Sequence, residues 1–145
     1  MQLVLLWVVL ITSGGMAPSQ GNLLQLTKMI KQATGKSAVF SYLNYGCHCR
    51  PGGKGQPKDA TDWCCKIHDC CYKQLKQQKC HVLLDRYNYD YNDGNIQCRG
   101  KNQCEKEICQ CDKEFALCLK RNLDSYQKSY RFLRKSHCQD ENPEC

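Results

Sequence analysis

Cys64-Cys65-Lys66-Ile67-His68-Asp69-Cys70-Cys71 decides the fold, because four cysteines surround a histidine and a carboxylate within eight residues. On a helix, Cys64 and His68 lie four apart on one face, Cys71 is three further on, and Asp69 is rotated by about 100°. Disulfides at these positions can hold a reactive imidazole in place. The block reads as a stapled helix with a carboxylate free to project towards a second source of ligands.

The flanks agree. Asp59 is a good N-cap and predicts a helix over 60–77, with Asp62 adding a carboxylate to its first turn. Asn102 and Glu105, three apart, have the form of a capping box opening a second long helix that runs to about residue 122. That helix carries Cys111 and Cys118, seven apart on one face, with Asp112 adjacent. If Cys64 and Cys71 bridge to this pair, the helices are antiparallel and Asp112 falls opposite His68.

Around these helices, Leu23, Leu26, Ile30 and Ala33 recur at helical spacing before Gly35, which predicts an amphipathic first helix packed on the core. The stretch 45–55, Tyr-Gly-Cys-His-Cys-Arg-Pro-Gly-Gly-Lys-Gly, is too rich in glycine for a regular element. It predicts a loop pinned at Cys47 and Cys49, able to turn backbone carbonyls inward towards a hard cation. Tyr87, Tyr89 and Tyr91 alternate, and Asn92-Asp93-Gly94-Asn95 then turns the chain back through Ile96 to Cys98, a small hairpin.

Residues 1–21 hold no charged side chain. Their apolar run, Leu3 to Ile11, is too short to span a bilayer. Small residues follow, so 1–21 reads as a signal peptide cut after Gly21, with one domain over 22–145, although no basic residue stands near Met1. Fourteen cysteines, an even number, then imply a disulfide framework built in an oxidising compartment. The adjacent pairs Cys64-Cys65 and Cys70-Cys71 disfavour zinc, which prefers spaced ligands. Composition alone leaves the pairing open among on the order of 10^5 connectivities.

No Ser, Thr or free Cys stands in a nucleophile motif, which leaves activated water as the attacking group. A histidine held through one ring nitrogen by Asp112 can take a proton from water with the other. Asp69 and the loop carbonyls can bind Ca2+.

Cys64-Cys65-x-x-His68-Asp69-x-Cys71-Tyr72, the loop Tyr45-Gly46-Cys47-x-Cys49 and Cys111-Asp112-Lys113 strongly resemble secreted, calcium-dependent phospholipase A2. The extension to Cys145, with Cys70 able to pair with it, resembles group II. The stretches 55–63 and 119–124 are most similar to group IID. The resemblance implies a mainly α, disulfide-rich fold with two long antiparallel helices. It implies His68 as general base, Asp112 as its orienting partner, and Tyr72 and Tyr87 as hydrogen-bond donors to Asp112. It further implies Ca2+ held by Asp69 and the backbone carbonyls of His48, Arg50 and Gly52, with the Arg50 N–H facing the oxyanion. Leu23, Leu26 and Ile30 match the acyl channel, which revises the core-only reading of the first helix. The implied bridges are Cys47–Cys138, Cys49–Cys65, Cys64–Cys118, Cys70–Cys145, Cys71–Cys111, Cys80–Cys104 and Cys98–Cys109.

The resemblance breaks at Arg50-Pro51, where the family pattern has glycine at the first position. Because Pro51 drives its predecessor towards extended angles, the substitution predicts weakened calcium binding and turnover. The alternative to an active enzyme is therefore a weak or inactive relative that binds calcium, a receptor or heparan sulfate. A net charge of +7, with Lys120, Arg121, Lys128, Arg131, Arg134 and Lys135 near the C-terminus, predicts an anionic partner. That partner is a phospholipid membrane or lipoprotein surface, or heparan sulfate, met by a secreted monomer that associates peripherally with membranes. Nucleic acid is excluded by compartment and by the absence of a binding motif.

Overall fold

The computed structural model describes residues 21–145; the expected signal peptide lies outside the described residues except for Gly21. Helix α1 spans Gly21–Thr34 and ends at Gly35. A single π-helical turn follows over Ala38–Tyr42, opened by the Ser37 side chain accepting from the Phe40 N–H. Helix α2 is Ala60–Gln77 with Asp59 as N-cap, its side chain accepting from the Asp62 N–H at 2.8 Å. Strands β1 (Asn88–Asn92) and β2 (Asn95–Arg99) form the hairpin, with Tyr91 paired to Ile96. Helix α3 is Gln103–Arg121. Asn102 caps it by accepting from the Glu105 N–H at 2.9 Å, but Glu105 Oε1 accepts from Lys101 N–H and not from Asn102. The box closes one residue earlier than the expected pattern.

Helices α2 and α3 are the scaffold, and α1 packs against α3. The core between them is formed by Met29, Ile30, Tyr72, Leu75, Tyr87, Ile96, Ile108, Ala116 and Leu119. All fourteen cysteines are bridged. Cys64–Cys118 and Cys71–Cys111 clamp α2 to α3 at two levels two turns apart, which makes the helices antiparallel and fixes their register. The other bridges are Cys47–Cys138, Cys49–Cys65, Cys70–Cys145, Cys80–Cys104 and Cys98–Cys109, so the pairs are those the resemblance implies. For a small domain such bridges supplement a modest core by restricting the unfolded chain.

Beyond α3 the chain runs through three short 3-10 turns, Leu123–Ser125, Lys128–Tyr130 and Lys135–His137. It returns to the glycine-rich loop there. Arg131 forms an isolated antiparallel bridge with Tyr45, and Cys47–Cys138 ties the two segments covalently. Tyr126 stacks on Tyr45 with ring centroids 4.8 Å apart.

Candidate active site

The clamp between α2 and α3 brings His68 to Asp112. His68 Nε2 lies 2.8 Å from Asp112 Oδ1, and Asp112 is fully buried. A buried carboxylate is costly unless donors surround it. Tyr72 donates its hydroxyl to the same oxygen at 2.6 Å, and Tyr87 donates to Oδ2 at 2.6 Å. Tyr72 comes from α2, whereas Tyr87 lies just before β1, so two separate elements hold Asp112 in one orientation. Burial, reinforced by the Asp112 charge, pushes both phenols far above their ordinary pKa and keeps them protonated as donors. The imidazole is further held between the Tyr72 ring at 4.3 Å and the Phe115 ring, which stacks on it at 4.3 Å. With Nε2 engaged by Asp112, Nδ1 is the nitrogen left for a reacting molecule.

The apolar cavity beside this pair holds about 510 Å³. Leu23, Leu26 and Ile30 of α1 line one side, and Val39 of the π-helical turn and Leu43, which caps it, line another. Phe115 and the half-buried Cys49 connect it to the histidine and the loop. Its mouth is apolar too: Leu24, Val39, Phe40 and Leu43 are all exposed. The first helix thus divides its apolar residues, with Met29 and Ala33 in the core and Leu23 and Leu24 at the opening.

The glycine-rich loop is organised by Asp62, a residue that reads from sequence only as a first-turn carboxylate. It is fully buried and accepts from the backbone N–H groups of Cys47 at 2.7 Å, His48 at 2.8 Å and Lys58 at 2.8 Å. Only glycine fits at 46, where a Cβ would stand 2.4 Å from the Asp62 carboxyl carbon. The His48 ring is buried, with Nε2 2.6 Å from the Gly55 carbonyl oxygen.

Cys49–Cys65 fastens this loop to α2, four residues before Asp69 and so on the Asp69 side of the helix. No hydrogen bond from the described residues reaches the Asp69 carboxyl. Its pKa is raised by loss of water contact, only partly offset by His68, His48, Lys66 and Lys76. Although Asp69 is exposed as a residue, its carboxyl is therefore crowded and unpaired. Such a group gains from a bound cation, and a hard ion suits one carboxylate supplemented by backbone carbonyls. No group of three or more His, Cys, Asp and Glu side chains gathers as a metal site among the described residues, so any ion here depends on those carbonyls.

At position 50 the backbone agrees with the restriction expected from Pro51. Among the described residues, the non-glycine ones with positive φ are Lys79, Asp93 and Phe132, so Arg50 does not occupy a conformation reserved for glycine. The left-handed residues of this loop are Gly46, Gly52 and Gly55, with φ of +60°, +66° and +92°.

Comparison with known proteins agrees with this geometry. The sequence matches the Phospholipase A2 family over residues 23–131. It is 55% identical over 137 residues to group IID secretory phospholipase A2 of Homo sapiens, covering 94% of each chain. It is 53% identical over 146 residues to group IID secretory phospholipase A2 of Mus musculus, covering both chains in full. A third relative, acidic phospholipase A2 2 of Protobothrops mucrosquamatus, is 47% identical over 140 residues, 97% of this chain and 98% of its own. The chain belongs to the phospholipase A2 family and is an enzyme of that class. Among the described residues, no helix is long and apolar enough to cross a membrane.

Proposed function

We propose that the chain is a secreted, calcium-dependent phospholipase A2 that hydrolyses the sn-2 acyl ester of glycerophospholipids to a fatty acid and a lysophospholipid. The observation that carries this reading is His68 fixed through Nε2 by a buried, doubly hydrogen-bonded Asp112 and stacked on Phe115, which lines an acyl-sized apolar cavity.

His68 Nδ1 takes a proton from a water molecule as the water oxygen bonds to the ester carbonyl carbon. Asp112 stabilises the resulting imidazolium and holds the ring in the tautomer that leaves Nδ1 unprotonated beforehand. When the tetrahedral species collapses, the bond to the glycerol oxygen breaks and His68 returns the proton to that oxygen. Asp69 and the carbonyls of His48, Arg50 and Gly52 would hold Ca2+, which supplies a positive charge for the developing oxyanion and the substrate phosphate. The Arg50 N–H is the protein donor to the same oxyanion. Leu23, Leu26 and Ile30 seat the acyl chain, while Leu24, Phe40 and Leu43 meet the lipid surface around the opening.

The exposed cations Lys120, Arg121, Lys128, Arg134 and Lys135 favour an anionic phospholipid or lipoprotein surface, and heparan sulfate has the same charge. The domain is assigned to 22–145, acting as a monomer after a signal peptide is removed behind Gly21. A weak or inactive relative is the less favoured alternative, because the chain is 53–55% identical to group IID secretory phospholipases A2. Release of fatty acid from anionic and zwitterionic vesicles, with and without calcium, tests the whole reading. Calcium-dependent release that is faster on the anionic vesicles is expected. Release of no fatty acid from either would overturn it.

A further inference from the structure

Arg50 has a second role that its backbone does not reveal. Its Nε donates to the Gly46 carbonyl at 3.1 Å, and Nη2 donates to the Leu133 carbonyl. The side chain is half-buried, and its hydrogen bonds run to neutral carbonyls, with no carboxylate partner among the described residues. One planar guanidinium thus joins the start of the glycine-rich loop to the returning C-terminal segment, using donors that diverge in a fixed geometry.

Neighbouring contacts run along the same seam. Gly46 N–H donates to the Tyr130 carbonyl at 2.8 Å, and Phe132 N–H donates to the Asn44 carbonyl at 2.8 Å. Phe132 itself is held at φ +59° with its ring exposed, a conformation rare for a bulky residue that persists only when its surroundings impose it. Leu133, the acceptor of the Arg50 bond, comes next in sequence. Pro51 adds rigidity from the other side by disfavouring helical backbone angles at Arg50.

We propose that Arg50 is a positioning residue that clamps the glycine-rich loop to the C-terminal segment, ordering the loop before any metal binds. The substitution then offsets the lost glycine by bracing the turn from outside, and it directs the guanidinium towards Leu133. The clamp does not depend on the calcium reading; its effect on metal affinity rests on that reading.

Amide hydrogen exchange on the calcium-free protein tests the clamp, comparing the parent with Arg50→Ala, Arg50→Lys and Lys54→Ala. In Arg50→Ala, the Gly46 and Phe132 amides should exchange about tenfold faster, the loss expected when two hydrogen bonds that close a local opening disappear. Arg50→Lys, whose ammonium lacks the fork, should restore only part of the protection. Lys54→Ala removes an exposed charge from the same loop and should exchange as the parent does. Calcium titration of turnover then separates positioning from general damage: Arg50→Ala should need about tenfold more calcium for half-maximal rate, whereas Lys54→Ala should titrate and turn over as the parent does. Unchanged exchange in Arg50→Ala, or equal acceleration in Lys54→Ala, would overturn the clamp. Faster exchange in Arg50→Ala, together with a parent that shows no calcium response, would support the clamp and refute the calcium reading instead.

Discussion

Replacing Asp112 by Asn tests the electrostatic core of the site with little change of shape. The amide oxygen can keep the position of Oδ1, where it still accepts from His68 Nε2–H and from Tyr72. The amide nitrogen then occupies the position of Oδ2 and faces the Tyr87 hydroxyl, which must accept where it formerly donated. The tautomer and packing survive, at the cost of one reversed hydrogen bond, about 1–2 kcal/mol of stability. What disappears is the negative charge beside the imidazolium formed during attack. Two unit charges about 4 Å apart interact by about 4 kcal/mol at an effective dielectric of 20. At about 1.4 kcal/mol per decade of rate, that is at most about a thousandfold. The amide dipole retains part of it, so kcat should fall by about 10^2–10^3. Continuous fatty-acid release at saturating calcium measures this, and near-ultraviolet circular dichroism checks the fold. A folded variant retaining more than a tenth of parental kcat would refute the charge-stabilisation argument.

Asp69→Lys replaces the only carboxylate of the proposed calcium set with a cation, so calorimetry should show no calcium binding near the loop; undiminished heat of binding would move the ion elsewhere. The raised Asp69 pKa carries a sign as well. A carboxyl whose folded pKa lies above its unfolded value destabilises the metal-free fold increasingly as pH rises from the unfolded value through the folded one. Calcium binding, which needs the carboxylate, should correspondingly weaken from a higher pH than for an ordinary Asp as acid is added. Removing the Cys70–Cys145 bridge with a Cys70→Ala, Cys145→Ala double variant should lower stability by only about 2 kcal/mol and leave turnover intact, because Cys47–Cys138 still anchors the chain seven residues before its end; chemical denaturation and the release assay check both parts.

Local chemistry made most of the frame legible. Asp59 and Asn102 marked helix starts through side-chain caps, and the seven-residue spacing of Cys111 and Cys118 placed Asp112 opposite His68 once the pairing was known. Features that depend on distant segments were not legible. The π-helical turn Ala38–Tyr42 has too few residues to show a period, yet Val39 and Leu43 build a wall of the cavity. Asp62 looks like an ordinary helix-dipole partner until Cys47, His48 and Lys58 present their N–H groups to it. Arg50 illustrates the same limit: its backbone preference follows from Pro51, but its partner Leu133 lies 83 residues away. The Glu105 side chain missed its expected donor by one residue, accepting from Lys101 N–H and not from the N–H of the N-cap.

The central claim is that His68 is the base that activates water, and turnover of His68→Gln tests it most directly. The seven bridges and the Tyr72 and Tyr87 bonds to Asp112 do not involve the imidazole, so the variant should fold and keep its calcium response in binding. Fatty-acid release from anionic vesicles at saturating calcium should fall by at least about 10^2, the usual cost of losing a general base. A folded His68→Gln protein releasing fatty acid within about threefold of the parental rate would contradict the account.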